Sequence, residues 1–361
     1  MDKDGVANVV ENQNNEQDLW FQMPLTLRQA YRSAADWLEQ QSVEESRSNA
    51  ELLLMHVLGI DRAALLLAWN DPFPEEKGDE WRTLVRRKAL GEPIQYMIGE
   101  QWFYDRPFIV SPAVLIPRPE TELLVEEVLA AVDRLWPEVA SGVEVAKLGV
   151  RAEVLSSSAE QHGDAKELGA SAEQGSAGMP TVVDVGTGSG AIAVTLASQR
   201  PRLRVCASDL SPDALEVARA NAVRQGTADR IAFAQGDLLA PFIASGRGGT
   251  AVDGGTHIDV LVSNPPYIPA ADMPGLQREV RDYEPHLALE GGADGLDPYR
   301  RMLEQLPLLP SMPRIVAFEL GIDQPVIVAK LMQQMAAWDD IRIITDYNGI
   351  DRHIIAVRNV E

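Results

Sequence analysis

Short apolar runs alternate with helical segments along the C-terminal half of the chain. From Thr181 onward the runs are rich in β-branched residues, and stretches of helical period separate most of them. The predicted strands are 181–185, 203–208, 230–235, 258–263, 313–319, 340–345 and 352–358. The predicted helices are 190–199, 212–225, 296–308 and 322–337. This alternation predicts an α/β fold with a doubly wound sheet, and the last two strands, which no helix separates, are expected to form an antiparallel end hairpin.

The N-terminal part of the chain has a different, helical pattern. Apolar residues recur at helical spacing over residues 24–90, and Gly59 is placed as the C-cap of one of the predicted helices. Three short bursts of alternating apolar residues follow, at 94–97, 102–104 and 108–110. They predict a small β-hairpin that links two domains.

These patterns divide the chain into four predicted segments. Residues 1–22 are polar and acidic and are interpreted as a disordered tail, and residues 23–92 as a helical domain. Residues 93–117 are the linker with the β-hairpin, and residues 118–361 are the catalytic domain. Within the last segment, residues 137–180 are rich in Ala, Ser, Gly and Glu and are interpreted as a low-complexity insertion.

Composition and charge limit the classes of partner. The chain has 361 residues, of which 45% are hydrophobic and 24% charged, as in globular proteins. Its formal net charge of −22 opposes binding to nucleic acid, because phosphate recognition normally needs a basic face. The N-terminal residues have no signal- or transit-peptide pattern, and no apolar run approaches the roughly 20 residues of a membrane span. We therefore expect a cytoplasmic protein that contacts neither membrane nor nucleic acid.

A glycine-rich loop follows the first strand of the predicted sheet and opens a helix. Its spacing, G-x-G-x-G, differs from that of dinucleotide-binding loops, and it lacks the lysine of a phosphate-binding P-loop. Asp209 ends the second strand, where a carboxylate can accept hydrogen bonds from both hydroxyls of a ribose. Asp184 precedes the glycines and could orient the loop or an ammonium group of the cofactor. The predicted cofactor-binding residues of the loop are Gly186, Thr187, Gly188, Ser189 and Gly190.

Two further strand ends fall at the same edge of the predicted sheet. Asp237 and Leu238 follow the third strand, and ligands of doubly wound sheets bind along this edge. Either residue could border an adenine ring, and a simple turn at the strand end is an equal alternative. Glu319 ends the fifth strand and either lines the cofactor edge or only terminates the strand, and the second interpretation is favoured.

Asn264-Pro265-Pro266-Tyr267 follows the fourth predicted strand. The prolines have no N–H and fix the backbone, so that carbonyl oxygens can project into a site. The Asn264 side-chain oxygen and the Pro265 carbonyl can each accept one N–H of a planar NH₂ group, and Tyr267 offers an aromatic face beside it. These four residues are the predicted catalytic residues, and Asn264 is also a predicted cofactor contact. Together with the glycine loop they favour methyl transfer from S-adenosylmethionine to an amide or amine nitrogen.

These residues resemble the PrmC/HemK family, the glutamine N5-methyltransferases of class 1 peptide chain release factors. The resemblance extends from about residue 25 to residue 359 and is interrupted by the insertion. Besides the glycine loop and Asn264-Pro265-Pro266-Tyr267, the matching segments are 50–54, 91–96, 115–122, 287–292 and 346–352. Asn-Pro-Pro-Tyr is shared with DNA adenine methyltransferases, whereas the helical domain and Pro117-Arg118-Pro119-Glu120-Thr121-Glu122 are more specific to this family.

The resemblance implies the Rossmann-like methyltransferase fold, S-adenosyl-L-methionine as cofactor, and the glutamine of a release factor's Gly-Gly-Gln loop as substrate. It places the adenine edge at Leu238, where some members have an aromatic residue. We expect a monomer without a metal, in which the helical domain recognises the protein substrate. Three alternatives remain open: glutamine methylation of a large-subunit ribosomal protein, adenine-N6 methylation of DNA, and a non-catalytic binding module.

Overall fold

A computed structural model describes residues 20–23, 25–140, 179–243 and 257–359. Most of the insertion predicted at 137–180 and residues 1–19 of the predicted tail lie outside the described residues. By its internal contacts the chain divides into two compact units. The first comprises Met1–Pro117 and Pro266–Gly295, and the second comprises Arg118–Pro265 and Leu296–Glu361.

The first unit is largely helical, and local sequence signals set the helix ends. Thr26 and Gln29 form a capping box at the start of one helix, and Gly59 ends another with a φ of 65°, which a residue with a side chain rarely adopts. The α-helices of this unit are Leu27–Gln40, Ser46–Leu58, Arg62–Leu67, Gly78–Ala89, Ile94–Ile98 and Arg278–Tyr283.

The end of the predicted acidic tail is folded. Phe21 is 3% exposed and lies in the hydrophobic core of the helical region, and its ring makes an edge contact with Phe73. Trp20 stacks on Trp37, with 5.3 Å between the ring centroids. The prediction that disorder extends to residue 22 is therefore wrong for these two aromatic residues, whose burial outweighs the polar character of the residues around them.

The predicted β-hairpin is shorter than expected at its start. Strands β1 (Glu100–Phe103) and β2 (Arg106–Ile109) pair antiparallel. The first burst of alternation, at 94–97, is instead part of the helix Ile94–Ile98. Pro93 precedes this helix, and Gly99 ends it with a φ of 80°. The strand prediction for 94–97 was wrong because four residues are too few to distinguish the alternating pattern of a strand from the pattern of a helix.

The segment Pro266–Gly295 packs with the N-terminal helices of the first unit, whereas the sequence analysis assigned it to the catalytic domain. Lys88, which is 1% exposed, donates to the Glu279 carboxylate at 2.5 Å. The Tyr283 hydroxyl donates to the Leu90 carbonyl at 3.2 Å. A buried lysine needs a charged partner, so this segment completes the helical unit.

The second unit contains a seven-stranded sheet in the order β5-β4-β3-β6-β7-β9-β8. Its strands are β3 (Thr181–Val185), β4 (Arg204–Asp209), β5 (Ile231–Gln235), β6 (Val260–Ser263), β7 (Ile315–Glu319), β8 (Asp340–Thr345) and β9 (Asp351–Val357). The first five are parallel, and β9 runs antiparallel between β7 and β8. The predicted fold class and the antiparallel end hairpin are confirmed.

α-Helices lie between β3 and β4, between β4 and β5 and between β6 and β7, as the alternation of patterns predicted. The α-helices of the second unit are Pro119–Leu135, Pro137–Ala140, Ala191–Gln199, Pro212–Arg224, Asp297–Gln305 and Gln324–Gln334. β3, β6 and β7 are buried along their whole length, which explains why they appear in the sequence as continuous apolar runs. Over the described residues, no helix has both the length and the apolar character needed to cross a membrane.

Candidate active site

The register of the parallel strands brings the predicted site residues of the second unit to one edge of the sheet. Val185 pairs with Ser263, so the glycine loop and Asn264 begin at neighbouring strand ends. Ser263 pairs in turn with Phe318, which puts Asn264 beside Glu319. Asp209 ends β4 on the other side of β3. Adjacent strands lie about 4.8 Å apart, so these groups share one short stretch of the carboxyl edge.

The glycine loop has an open face and a packed face. Gly186 and Gly188 have φ values of 70° and 54°, and a Cβ on either would meet no atom within 4 Å. Gly190, with a φ of 80°, is packed instead: a Cβ there would lie 3.2 Å from Cα and Cβ of Ala218. The first two glycines therefore leave room for a ligand to approach the backbone, and the third allows close helix packing.

Asp184 holds the loop from inside the protein. It is fully buried, and its Oδ2 accepts from the Thr187 hydroxyl at 2.6 Å and from the Ala193 amide at 3.1 Å. Its Oδ1 is buried with no hydrogen-bond partner among the described residues. Burial raises the pKa of the Asp184 carboxyl to about 7, although the bonds from Thr187 and Ala193 act in the opposite direction. Asp184 thus orients the loop, as the sequence suggested, and keeps one acceptor unused.

Asp184 should also make the stability of the protein depend on pH. The pKa of the Asp184 carboxyl is about 7 in the folded state, above the ordinary value of 3.8. Between these two pH values the carboxyl is mostly protonated in the folded state and mostly ionised in the unfolded state. The free energy of unfolding should therefore fall as pH rises through this window, by at most about 1.4 kcal/mol per pH unit from this group. Asp184→Asn cannot titrate and should show a flatter pH dependence. Urea unfolding between pH 5 and 8, without cofactor, measures both slopes, and equal slopes would contradict the assignment.

The Asp209 carboxylate accepts hydrogen bonds from backbone amides and still has acceptor capacity for a ligand. Its Oδ2 accepts from the Gly188 amide at 2.8 Å, and its Oδ1 accepts from the Ser211 amide at 2.9 Å. The two carboxylate oxygens can together accept about four hydrogen bonds, so the carboxylate retains acceptor capacity for a ligand. Burial raises the pKa of the Asp209 carboxyl, and backbone hydrogen bonds from Ser211, Gly188 and Leu210 oppose this shift. The arrangement can receive the two hydroxyls of a ribose beside the open glycines.

Asp237 and Leu238 follow β5 at the same edge. The Asp237 carboxylate forms an ion pair with Arg301, a partner that the sequence analysis did not anticipate. Leu238 has a φ of 51°, a left-handed conformation that is unusual for a residue with a branched side chain. Strained backbone of this kind often occurs at ligand sites, and Leu238 is only partly buried. Contact of either residue with an adenine ring stays a prediction.

A buried chain of hydrogen bonds reaches Asn264. Its Nδ2 donates to the Thr121 hydroxyl oxygen at 3.2 Å, and the Thr121 hydroxyl donates to Glu319 Oε2 at 2.7 Å. Thr121 and Glu319 are 5% and 2% exposed. The interpretation of Glu319 as a mere strand terminus missed this bond, and Thr121 was noticed only as part of the segment that resembles the family. With Nδ2 engaged, the Asn264 Oδ1 can accept from a substrate.

Pro266 and Tyr267 begin the segment that packs in the first unit, and Gly291 fixes them there. The Gly291 amide donates to the Ile268 carbonyl at 2.9 Å. A Cβ on Gly291 would lie 2.6 Å from the Pro266 carbonyl oxygen and 2.9 Å from Cα of Tyr267. Real Cβ atoms essentially never approach backbone so closely, so only glycine leaves the Pro266–Tyr267 backbone in this position.

Gly291→Ala should therefore lower kcat about 10-fold, because the methyl group must displace the backbone of the predicted catalytic segment. Shifts below 1 Å at positioned groups commonly have effects of this size. Gly275→Ala is the matched control: it lies in the same segment, has no atom within 4 Å of the added Cβ, and has an ordinary φ. Single-turnover kinetics of both variants measures the effect. Equal rates for the two variants would exclude a role for Gly291 in positioning the segment.

Comparison with known proteins bears on both parts of the chain. Residues 29–99 match the family model of the PrmC N-terminal domain, and residues 182–252 match that of a methyltransferase domain. The release factor glutamine methyltransferase of Moorella thermoacetica is 39% identical over 93% of this chain and 100% of its own length. Those of Bacillus cereus and Bacillus subtilis are each 36% identical, over 91% and 92% of this chain and 98% of theirs. The chain belongs to the release factor glutamine methyltransferase family.

Family membership makes the chain an S-adenosylmethionine-dependent methyltransferase. The residues present fit this cofactor. The space beside Gly186 and Gly188 admits a ligand to the backbone, and the Asp209 carboxylate retains acceptor capacity for ribose hydroxyls. The buried Oδ1 of Asp184 can accept a further donor. The individual contacts remain predictions.

Proposed function

We propose that the protein transfers a methyl group from S-adenosyl-L-methionine to the side-chain amide nitrogen of the glutamine in the Gly-Gly-Gln motif of class 1 peptide chain release factors. The observation that carries this proposal is the orientation of Asn264 at the strand end beside the glycine loop. Its Nδ2 donates to Thr121, so that Oδ1 is available to accept an N–H of the substrate amide. The names of the relatives supply the protein substrate.

The chemistry required of the protein is to orient a poor nucleophile. The cofactor would supply an electrophilic methyl group, whose bond to the sulfonium sulfur breaks as the bond to nitrogen forms and leaves a neutral thioether. The Asn264 Oδ1 accepts one N–H of the glutamine amide and the Pro265 carbonyl accepts the other, which turns the nitrogen lone pair towards that methyl group. Both acceptors also stabilise the positive charge that develops on the nitrogen as the new N–C bond forms. The alkylated nitrogen is acidic and loses one proton to solvent, so no strong base is needed.

We infer that the N-terminal helices contact the protein substrate. A glutamine amide reacts slowly, and binding energy from distant parts of a large substrate can be used to hold it in place. The helix Arg62–Leu67 exposes two apolar side chains, Leu66 at 61% and Leu67 at 90%. Exposed leucines on one short helix are a plausible contact for another protein. Nucleic acid is not expected to be a target, since the net charge is −22.

We also infer that the protein acts in the cytoplasm, because its proposed substrate belongs to the translation machinery, and we propose that it is a monomer. Size-exclusion chromatography with light scattering at micromolar concentration measures the mass. The monomer mass is 39.5 kDa, and a stable dimer would contradict this part of the proposal.

Mass spectrometry tests the proposed reaction. A purified release factor is incubated with enzyme and S-adenosylmethionine, and the Gly-Gly-Gln peptide should gain about 14 Da, the mass of one methyl group in place of one hydrogen. A release factor with that glutamine changed to alanine is the control and should gain nothing. Parallel reactions with large-subunit ribosomal proteins and with adenine-containing DNA test the alternatives. Methylation of either one, with an unmodified release factor, would overturn the proposal.

A further inference from the structure

The orientation of the Asn264 amide is not determined by its shape. Rotation by 180° about the last side-chain bond exchanges Oδ1 with Nδ2 and leaves the outline of the side chain unchanged. The two orientations differ completely in chemistry, because the oxygen accepts a substrate N–H whereas the NH₂ group repels it. An enzyme that uses this oxygen as an acceptor needs a device that selects one orientation.

The hydrogen bonds behind Asn264 run in only one direction. A carboxylate oxygen that receives a hydroxyl proton acts as an acceptor and not as a donor. The single proton of the Thr121 hydroxyl goes to Glu319 Oε2, at 2.7 Å. The Thr121 oxygen is therefore left as an acceptor, and the atom of Asn264 that lies 3.2 Å from it must be the donor Nδ2. The flipped amide would bring two acceptor oxygens together at this position.

Burial prevents a water molecule from satisfying the flipped orientation of the amide. Glu319 is 2% and Thr121 5% exposed, so a water molecule has little access to the contact between them. Glu319 is itself held in place: its backbone carbonyl accepts from the Tyr299 hydroxyl at 2.6 Å, and His353 Nε2 lies 3.8 Å from its Oε2. An unsatisfied polar contact in such surroundings is unfavourable, so the selected orientation is strongly preferred.

We propose that Thr121 and Glu319 are positioning residues that fix the amide of Asn264 with its oxygen towards the substrate. This inference rests on the proposed function, since it assumes that the Asn264 oxygen accepts from the glutamine amide. Thr121 and Glu319 act through Asn264 and touch neither cofactor nor substrate. They raise the fraction of enzyme molecules in which the acceptor faces the reacting nitrogen, so they contribute to kcat and not to cofactor affinity.

Three substitutions separate this role from simple packing. Thr121→Val keeps the volume but removes the bond that fixes both the orientation and the position of the Asn264 amide, so kcat should fall about 10-fold. Thr121→Ser keeps the hydroxyl and should retain kcat within about 2-fold. Glu319→Gln has nearly the same shape but can donate to Thr121, which lets the chain of bonds reverse, so kcat should also fall. Affinity for S-adenosylmethionine, from calorimetry, and KM for the release factor should stay unchanged in all three.

A double-mutant cycle with Asn264→Ala provides the decisive readout. If Thr121 acts only through Asn264, Thr121→Val should cause no further loss of kcat once the Asn264 side chain is absent. An equal loss in both backgrounds, or wild-type kcat for Thr121→Val, overturns the positioning role. Failure of the proposed function has a different signature. The wild-type enzyme would then not methylate the release-factor glutamine, or the kcat of Asn264→Ala would equal that of the wild-type enzyme. Melting temperatures of all variants report any loss of folding.

Discussion

Replacing Asn264 with alanine should lower kcat about 100-fold and leave the affinity for S-adenosylmethionine almost unchanged. The substitution removes one oriented acceptor of the substrate amide, and the loss of a comparable group in an oxyanion site has an effect of about 10²-fold or more. Asn264 is partly exposed at the end of β6, and its side chain donates to Thr121 at 3.2 Å, so the change should have little effect on folding. Stopped-flow or quenched-flow single turnovers on a release factor measure the chemical step directly.

Asn70→Ala is the matched control for this experiment. It removes the same atoms from an exposed position in the helical region and should behave as wild type. A kcat for Asn264→Ala within about 3-fold of the control would exclude Asn264 as an acceptor for the reacting amide. A large loss of cofactor affinity together with normal single-turnover rates would instead assign Asn264 to the cofactor alone.

Asp209→Ala should weaken S-adenosylmethionine binding by about 2–3 kcal/mol, which corresponds to roughly 30- to 150-fold in Kd. The substitution removes the acceptors proposed for the ribose hydroxyls and also the contact that holds the Gly188 amide. Asp209→Asn should be nearly as harmful. Both carboxylate oxygens accept backbone N–H groups, so one of these donors would face the new NH₂ group. Isothermal titration calorimetry with the cofactor gives the affinities.

The control for charge is Asp213→Asn, which removes a carboxylate from an exposed position at the start of the next helix. Its cofactor affinity should stay within about 2-fold of wild type, because water and salt weaken the field of an exposed charge. If Asp209→Ala and Asp213→Asn weaken binding equally, the effect is general electrostatics and Asp209 does not contact the ribose.

The strands of the catalytic sheet could be predicted because their sequence signal is local. β3, β6 and β7 are buried on both faces, so each appears as an uninterrupted apolar run between polar turns. The glycine loop and Asp209 were recognisable for a similar reason. The loop directly follows β3 and Asp209 ends β4, and their positions along the sequence translate into positions along the sheet edge.

The network behind Asn264 could not be predicted, because its partners are far apart in the sequence. Thr121 is 143 residues from Asn264, and Glu319 is 198 residues from Thr121. Neither residue type is unusual at a helix start or a strand end, so no local pattern distinguishes them. The pairing of β6 with β7, which brings Ser263 opposite Phe318, puts Asn264 beside Glu319, and the helix Pro119–Leu135, which packs against β7, adds Thr121.

The assignment of Pro266–Gly295 failed for another reason. Sequence patterns indicate what kind of element a segment forms, but they do not indicate which core it joins. The helix Arg278–Tyr283 is only six residues long and has no side-chain cap, so nothing in its own sequence marks it as part of the helical unit. The ion pair of Glu279 with Lys88 is what connects it to that unit.

The pairing of Lys88 with Glu279 has a consequence for the order in which the protein can fold during synthesis. The two residues are 191 positions apart, so the ammonium group of Lys88 emerges from the ribosome long before its carboxylate partner exists. At about 5–20 residues per second, the delay is roughly 10–40 s. Throughout this interval the N-terminal helices cannot bury Lys88 against Glu279, and the nascent helical unit must wait for most of the catalytic sheet to be translated before it is complete.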